Sequence, residues 1–372
     1  MKKILVLHTK YQNLGGEDIA VSNEIDLLRK HYDVEVLFFT NSLFSIFKNS
    51  RKLLNKKIVN FNPDIIYIHN LWFAAGLKIF KTFKKIDCQV LIKFHNFRYF
   101  CTKTFFLKNH LKKDLVCLAC GMERKKNMVL NNYYPTSFLK SMYVNYFGIK
   151  FFRIISSFNL KILVLTNFHK QFLIDLGIDS KKIFLMHNFL EVSHDYPKAN
   201  DSDYLIYAGR ISKEKGVEEL ILSHSKSNLD SIKLKLVGEG PELAYLKKKY
   251  DKFNVEFIGP LSNNEVLKLI KNSKAVITAT KLYEGQPTLL CEASKYSVPS
   301  VFPMSGGIKE FFPENYLLSY EQFNYKDLEN KINYLEKQET CHELGKQNFK
   351  YIEELLSEDK IINDFENIIN YE

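Results

Sequence analysis

The stretch from Tyr204 to Gly240, YLIYAGRISKEKGVEELILSHSKSNLDSIKLKLVGEG, decides the fold. YLIYAGR is a short apolar run bounded by a turn, which reads as a buried strand. EKGVEELILSHSK carries apolar residues at helical spacing, and IKLKLVGEG is a second strand that ends in glycines. The alternation continues outward on the C-terminal side. PELAYLKKKYDK, NNEVLKLIKNS and PTLLCEASKY read as helices, and VEFIG, AVITAT and VPSVFP as strands. On the N-terminal side a polar tract, EVSHDYPKANDSD, interrupts the pattern and reads as a linker. Before it, KILVLHT, VEVLFF, DIIYIHN, QVLIKFHN, KILVLTN and IFLMHNF are six further strands, the first followed by the helix EDIAVSNEIDLLRKH. Short apolar strands alternating with helices predict parallel sheets covered on both faces. The expected fold is therefore α/β, with two doubly wound, Rossmann-like domains. Such domains bind ligands at the carboxyl ends of their strands, in a cleft. The expected bounds are 1–190 for the first domain, 191–203 for the linker and 204–354 for the second. The last segment, 355–372, contains the amphipathic helix EDKIINDFENIINY.

Bulk properties agree with a globular chain of 372 residues, 46% hydrophobic and 26% charged. No apolar run approaches the length needed to span a bilayer, and MKKILVLHTK reads as a strand, not a signal peptide. A cytoplasmic location is expected, with reduced thiols. Net charge is +11, split as +18 over 1–190 and −7 over 191–372. A basic half beside an acidic half suggests a directed anionic partner: a membrane surface, a lipid diphosphate or nucleic acid. Cys101, Cys117 and Cys120 form a local group that is either half of a zinc site or a structural loop.

Several turns can carry ligand chemistry. In NLGGED, Gly15 and Gly16 allow close backbone approach at a helix start. In YAGRISKEKG, Arg210 and Lys215 are two cations following a strand end, able to neutralise a diphosphate, or a solvated basic loop. LVGEGPE places Gly238 at another strand end. In YEGQPTLLCEASKYSVP, the sequence around Pro287 predicts a helix start with proline in the first turn. The N–H groups of Thr288 and Leu289 would then suit a phosphate. Glu284 precedes this helix and Glu292 lies one turn inside it; carboxylates accept sugar hydroxyls well.

The set GR-x4-KG, LVGEGP, EG-x-P-x-LL-x-EA and SGG-x-x-E resembles the retaining glycosyltransferases of family GT4, which have the GT-B fold. Glu284 and Glu292 match the family's E-x7-E. The first half is similar more loosely, through its GG-E loop, PDIIYIHNLW, and FHNFRYFC followed by C-x2-C. The resemblance implies two domains facing a central cleft, with the last helix crossing back onto the first. It implies that Arg210 and Lys215 hold the donor diphosphate. Glu292 would take the ribose, Glu284 the transferred sugar, and backbone at Gly16, Thr288 and Leu289 the phosphates. His95 sits where the family places a histidine near the donor sugar. Two departures stand out: no fourth cysteine follows in NNYYPTS, and Gln286-Pro287 replace the Phe-Gly of many members.

The expected function is thus metal-independent, retaining transfer from a nucleoside-diphosphate sugar, with uridine diphosphate favoured and no cofactor. DSD at 201–203 resembles a metal-binding D-x-D but reads as a polar turn. The expected acceptor is a glycan or lipid-diphosphate-linked saccharide of bacterial surface polysaccharide synthesis. The basic, aromatic first half would rest on the inner face of the membrane. Alternatives are a non-catalytic nucleotide-sugar-binding partner subunit, or a basic nucleic-acid-binding protein. No nucleic acid is expected, because that reading leaves Glu284, Glu292 and the glycine turns without a role.

Overall fold

A computed structural model of the chain describes residues 1–10, 16–40, 50–71, 76–97, 117–118, 138–192 and 202–371. It divides into two compact units, Met1–Leu190 with Glu358–Glu372, and Glu191–Ser357.

Among the described residues the first unit holds a parallel sheet of β1 (Lys3–Lys10), β2 (Asp33–Thr40), β3 (Ile65–Asn70), β4 (Gln89–Phe94), β5 (Lys161–Val164) and β6 (Ile183–Leu185). The strand order is β2-β1-β3-β4-β5-β6. Its strands are apolar on both faces because both are covered. Leu5, Leu7, Ile92 and Phe94 face one core, with Phe147 and Phe151 of the helix Phe138–Ser157. Ile4, Val6, Tyr67 and Leu91 face the other, with Val21 and Leu28 of the helix Gly16–Arg29. The helix Glu358–Asn370 completes that second core through Ile361, Ile362, Phe365, Ile368 and Ile369. Its end is pinned to the amino ends of β4 and β5: Gln89 Nε2 donates to the Ile369 carbonyl at 3.0 Å, and Lys161 Nζ to that of Ile368 at 2.7 Å.

The second unit repeats the plan with β7 (Tyr204–Ala208), β8 (Lys233–Val237), β9 (Val255–Gly259), β10 (Ala275–Ile277), β11 (Ser300–Pro303) and β12 (Ser319–Tyr320). All pairs are parallel, in the order β12-β11-β10-β7-β8-β9. β12 has only two residues and follows the short apolar run YLL. Chain order reverses between β1 and β3 in the first sheet and between β7 and β10 in the second. At such switch points the two flanking loops diverge and leave a crevice at the strands' carboxyl ends.

Candidate functional site

At the switch point of the second unit, the loops after β7 and β10 interlock. Gly209 leaves β7 at φ 154° and Gly238 leaves β8 at φ 130°. A Cβ on Gly238 would lie 2.0 Å from the Gly209 carbonyl oxygen, so only glycine permits this approach. Arg210 follows, exposed, with its carbonyl accepting from the Tyr207 hydroxyl at 2.9 Å. A single 3-10 turn, Lys213–Lys215, then ends at Gly216, which is left-handed at φ 67°. A Cβ there would meet the Ala279 carbonyl oxygen at 1.9 Å. Gly216 therefore lets the basic loop lie against the end of β10, which fixes where Lys215 points.

Lys215 Nζ reaches Glu284 Oε1 at 2.5 Å, and Thr280 Oγ1 donates to the same oxygen at 3.0 Å. The pair is partly open to solvent, at 29% and 26% exposure. The glycines of SGG support it from below. The Glu284 carbonyl accepts from Gly307 N–H at 2.8 Å, and a Cβ on Gly306 would stand 2.5 Å from that oxygen. Thr280 and Gly306 thus belong to the site alongside the residues singled out by motif. Thr280 precedes Glu284 by four residues, and only the loop geometry brings it onto the carboxylate.

The helix Thr288–Lys295 begins one residue later than the sequence predicts. Pro287 is its N-cap, at φ −82° and ψ 88°, and makes no side-chain cap. Its carbonyl accepts from Leu290 and Cys291. The N–H groups of Thr288 and Leu289 point out of the helix end without a protein acceptor among the described residues. Glu292, one turn inside, is 7% exposed and makes no hydrogen bond or ion pair among the described residues. Burial pushes its carboxyl up to about 7, with Lys295 pulling weakly the other way. A buried carboxyl without a donor is costly, and hydroxyl groups of a ligand would supply what it lacks. The loop after β7 thus brings Lys215 onto Glu284, and Gly238 packs on the backbone of Gly209.

His95 and Gly16 belong to the first unit; Gly15 lies outside the described residues. Gly16 opens the helix Gly16–Arg29, whose first turn carries Glu17 and Asp18. Asp18 Oδ1 lies 2.8 Å from His8 Nε2, and Asn96 Nδ2 donates to Glu17 at 2.9 Å. His95 Nε2 lies 3.0 Å from His69 Nδ1. Below these rings Lys93 is fully enclosed, donating to Glu24 at 2.8 Å and to the His187 carbonyl at 3.0 Å. Glu24 also takes the Tyr67 hydroxyl at 2.5 Å. A lone lysine inside the apolar run QVLIKF is the sequence signal for this network. Cys101 and Cys120 lie outside the described residues, and so does Asp201 of DSD. Among the described residues no group of three His, Cys, Asp or Glu side chains is arranged to hold a metal ion.

Residues 189–351 match the family described as Glycosyl transferases group 1. The amylovoran biosynthesis glycosyltransferase AmsD of Erwinia amylovora is 26% identical over 171 residues, which cover 43% of this chain and 48% of that protein. The chain thus spans about half the length of the curated relative it matches. Among solved structures, HepE of Anabaena, in complex with UDP and glucose, superposes with a TM-score of 0.69 at 15% identity, over 99% of both chains. Sucrose-phosphate synthase of Thermosynechococcus elongatus gives 0.73 at 14% identity, over 99% of this chain and 98% of that one. Likeness of this extent establishes the fold as GT-B, two doubly wound units in one chain.

Proposed function

We propose that this chain, whose residues 189–351 form a group 1 glycosyltransferase domain, is a retaining glycosyltransferase that uses a nucleoside-diphosphate sugar without a divalent metal. The observation that carries this reading is the unmet polar capacity of the second unit's switch point. An uncapped helix end and an exposed Arg210 call for an anion, and a buried, partnerless Glu292 calls for hydroxyl donors. A nucleoside diphosphate presents both. In transfer, the charge that develops on the departing diphosphate would be met by Arg210, Lys215 and the N–H groups of Thr288 and Leu289. Glu284 holds Lys215 in place and would accept from the transferred sugar. HepE, bound to UDP, supports uridine as the base.

The proposed acceptor is a lipid-linked saccharide met at an anionic membrane surface in polysaccharide synthesis. AmsD, named as a glycosyltransferase of amylovoran biosynthesis, supports a role in biosynthetic glycosyl transfer. In support of the surface, the helix Phe138–Ser157 contains no acidic residue and exposes Leu139, Met142, Tyr143 and Tyr146, spaced as one helical stripe. Lys150 lies over the Tyr146 ring at 5.7 Å. No helix among the described residues is long and apolar enough to cross a membrane.

The test is thermal stability against a panel of nucleoside diphosphates in EDTA. A ligand at a hundredfold its dissociation constant stabilises by about 2.7 kcal/mol. One diphosphate is expected to raise the midpoint, and Arg210→Ala and Glu292→Ala each to abolish the shift. Stabilisation only when a divalent ion is added would overturn the metal-free mechanism. No stabilisation under either condition would overturn the transferase reading.

A further inference from the structure

The carboxylate of Glu284 is held by two donors that differ in kind. Lys215 Nζ and Thr280 Oγ1 both donate to Oε1, at 2.5 and 3.0 Å. Oε2 receives no hydrogen bond among the described residues, and it is not an enclosed atom. A carboxylate oxygen has two lone pairs, so Oε1 is filled while Oε2 is open on both.

Lys215 alone would hold Glu284 weakly. The ion pair is partly open to solvent, where such pairs contribute little. An ammonium also has three protons to give, and a diphosphate competes for them. Thr280 differs on each count. It is buried and β-branched, so its side chain has few rotamers. Its oxygen accepts from the Leu282 N–H at 3.2 Å, which leaves its single proton for Glu284. No other acceptor for that proton is present among the described residues. The backbone that carries Thr280 is fixed as well. Its carbonyl accepts from Gln322 Nε2 at 3.4 Å, the Lys281 N–H donates to the Glu214 carbonyl at 2.9 Å, and the Leu282 carbonyl accepts from Ser305 Oγ at 2.8 Å. Lys281 Nζ then reaches Glu219 of the helix Val217–His224 at 2.6 Å. The loops after β7, β11 and β12 thus all brace residues 280–282.

We propose that Thr280 is a positioning residue: it fixes Glu284 with Oε1 occupied and Oε2 as the one open acceptor, and it does so independently of Lys215. That Glu284 meets a hydroxyl of the transferred sugar belongs to the glycosyl-transfer reading, on which the ligand rests; the hold on the carboxylate does not rest on it. The neutral hydroxyl keeps the acceptor in place while a diphosphate draws on the lysine. An acceptor set in advance by a residue that is itself locked needs no reorganisation when the ligand arrives.

The test pairs ligand-free crystal structures of the full chain with calorimetric titration. In Lys215→Ala the Glu284 carboxylate should stay in place. In Thr280→Val, which keeps the side-chain shape without the hydroxyl, it should leave that position. A displaced Glu284 in Lys215→Ala, or an unmoved one in Thr280→Val, would overturn the proposal. Lys215→Ala decides even if Thr280→Val fails to fold. For binding, the probes are UDP and UDP-glucose. Thr280→Val should weaken UDP-glucose about tenfold, the worth of one hydrogen bond, and leave UDP within about twofold of the wild type. Thr280→Ser, which restores the hydroxyl, should return both to wild-type values. Equal weakening of both ligands in Thr280→Val would make Thr280 a brace of the loop alone and overturn the positioning role. Failure of the wild type to bind either ligand would overturn the proposed function, and the ligand-free structures would still decide the role of Thr280.

Discussion

Replacing Glu292 by glutamine should stabilise the ligand-free protein at alkaline pH and leave it unchanged at acid pH. Burial raises this carboxyl from 4.5 to about 7. Between those values the folded chain keeps a proton that the unfolded chain has lost. Stability therefore falls as pH rises through that window and stays low above it. The full difference is about 3 kcal/mol, at about 1.4 kcal/mol per pH unit. Glutamine has the same shape and no charge, so Glu292→Gln should recover about that amount at pH 8.5 and nothing at pH 4. For a unit the size of Glu191–Ser357 this corresponds to a rise in midpoint on the order of 5–10 °C. The assay is scanning calorimetry across that pH range, following the transition of the second unit by itself, since multidomain chains need not melt in one step. The same carboxyl makes ligand binding pH-dependent. Hydroxyl donors prefer the carboxylate, so binding expels the proton. Affinity for a nucleoside diphosphate should climb as pH rises toward 7 and then level off, by up to about tenfold per pH unit. The variant should retain only the slope due to the nucleotide's own phosphate. A destabilised Glu292→Gln at pH 8.5, or an equal effect at acid and alkaline pH, would refute the reasoning.

Three further perturbations separate binding from folding. Lys215→Ala removes a half-open ion pair, so it should cost less than about 1 kcal/mol of stability while weakening diphosphate binding about ten- to hundredfold; calorimetric titration reads both. Gly216→Ala puts a methyl group 1.9 Å from the Ala279 carbonyl at a left-handed φ, and denaturant unfolding should show a loss above about 2 kcal/mol. Lys93→Met strands the Glu24 carboxylate in the core and should cost about 3–5 kcal/mol, whereas Lys93→Met with Glu24→Gln should recover most of it, because the amide oxygen still takes the Tyr67 hydroxyl and no charge is buried.

The strands were legible because a parallel sheet is covered on both faces, which leaves near-continuous apolar runs such as ILVL and IIYI. The helix Phe138–Ser157 was not, for the opposite reason: its faces do not differ. Val144, Phe147 and Phe151 are buried while Leu139, Met142 and Tyr146 are exposed, so no period stands out. At the candidate site, the glycine turns and the two glutamates could be read from local spacing. The contact between Lys215 and Glu284 could not, because it depends on β7 lying beside β10. The histidines tell the same story. VLHT, YIHN and KFHN each end an apolar run, but only the order β1-β3-β4 sets their rings side by side.

The two switch points use one backbone plan for different chemistry. In the first unit His69 and His95 lie near the carboxyl ends of β3 and β4, and burial lowers the pKa of both, so their neutral, directional rings suit uncharged oxygens. In the second unit they end in glycines, followed by exposed cations and an uncapped helix, a combination suited to anions. The difference follows from what flanks each loop. In the first unit the helix Gly16–Arg29 has an acidic first turn, which would repel a phosphate. In the second, Gly216 delays the helix by one turn and inserts Lys215 instead. The anion-suited end of the second unit is the feature that the proposed function would draw on for a diphosphate.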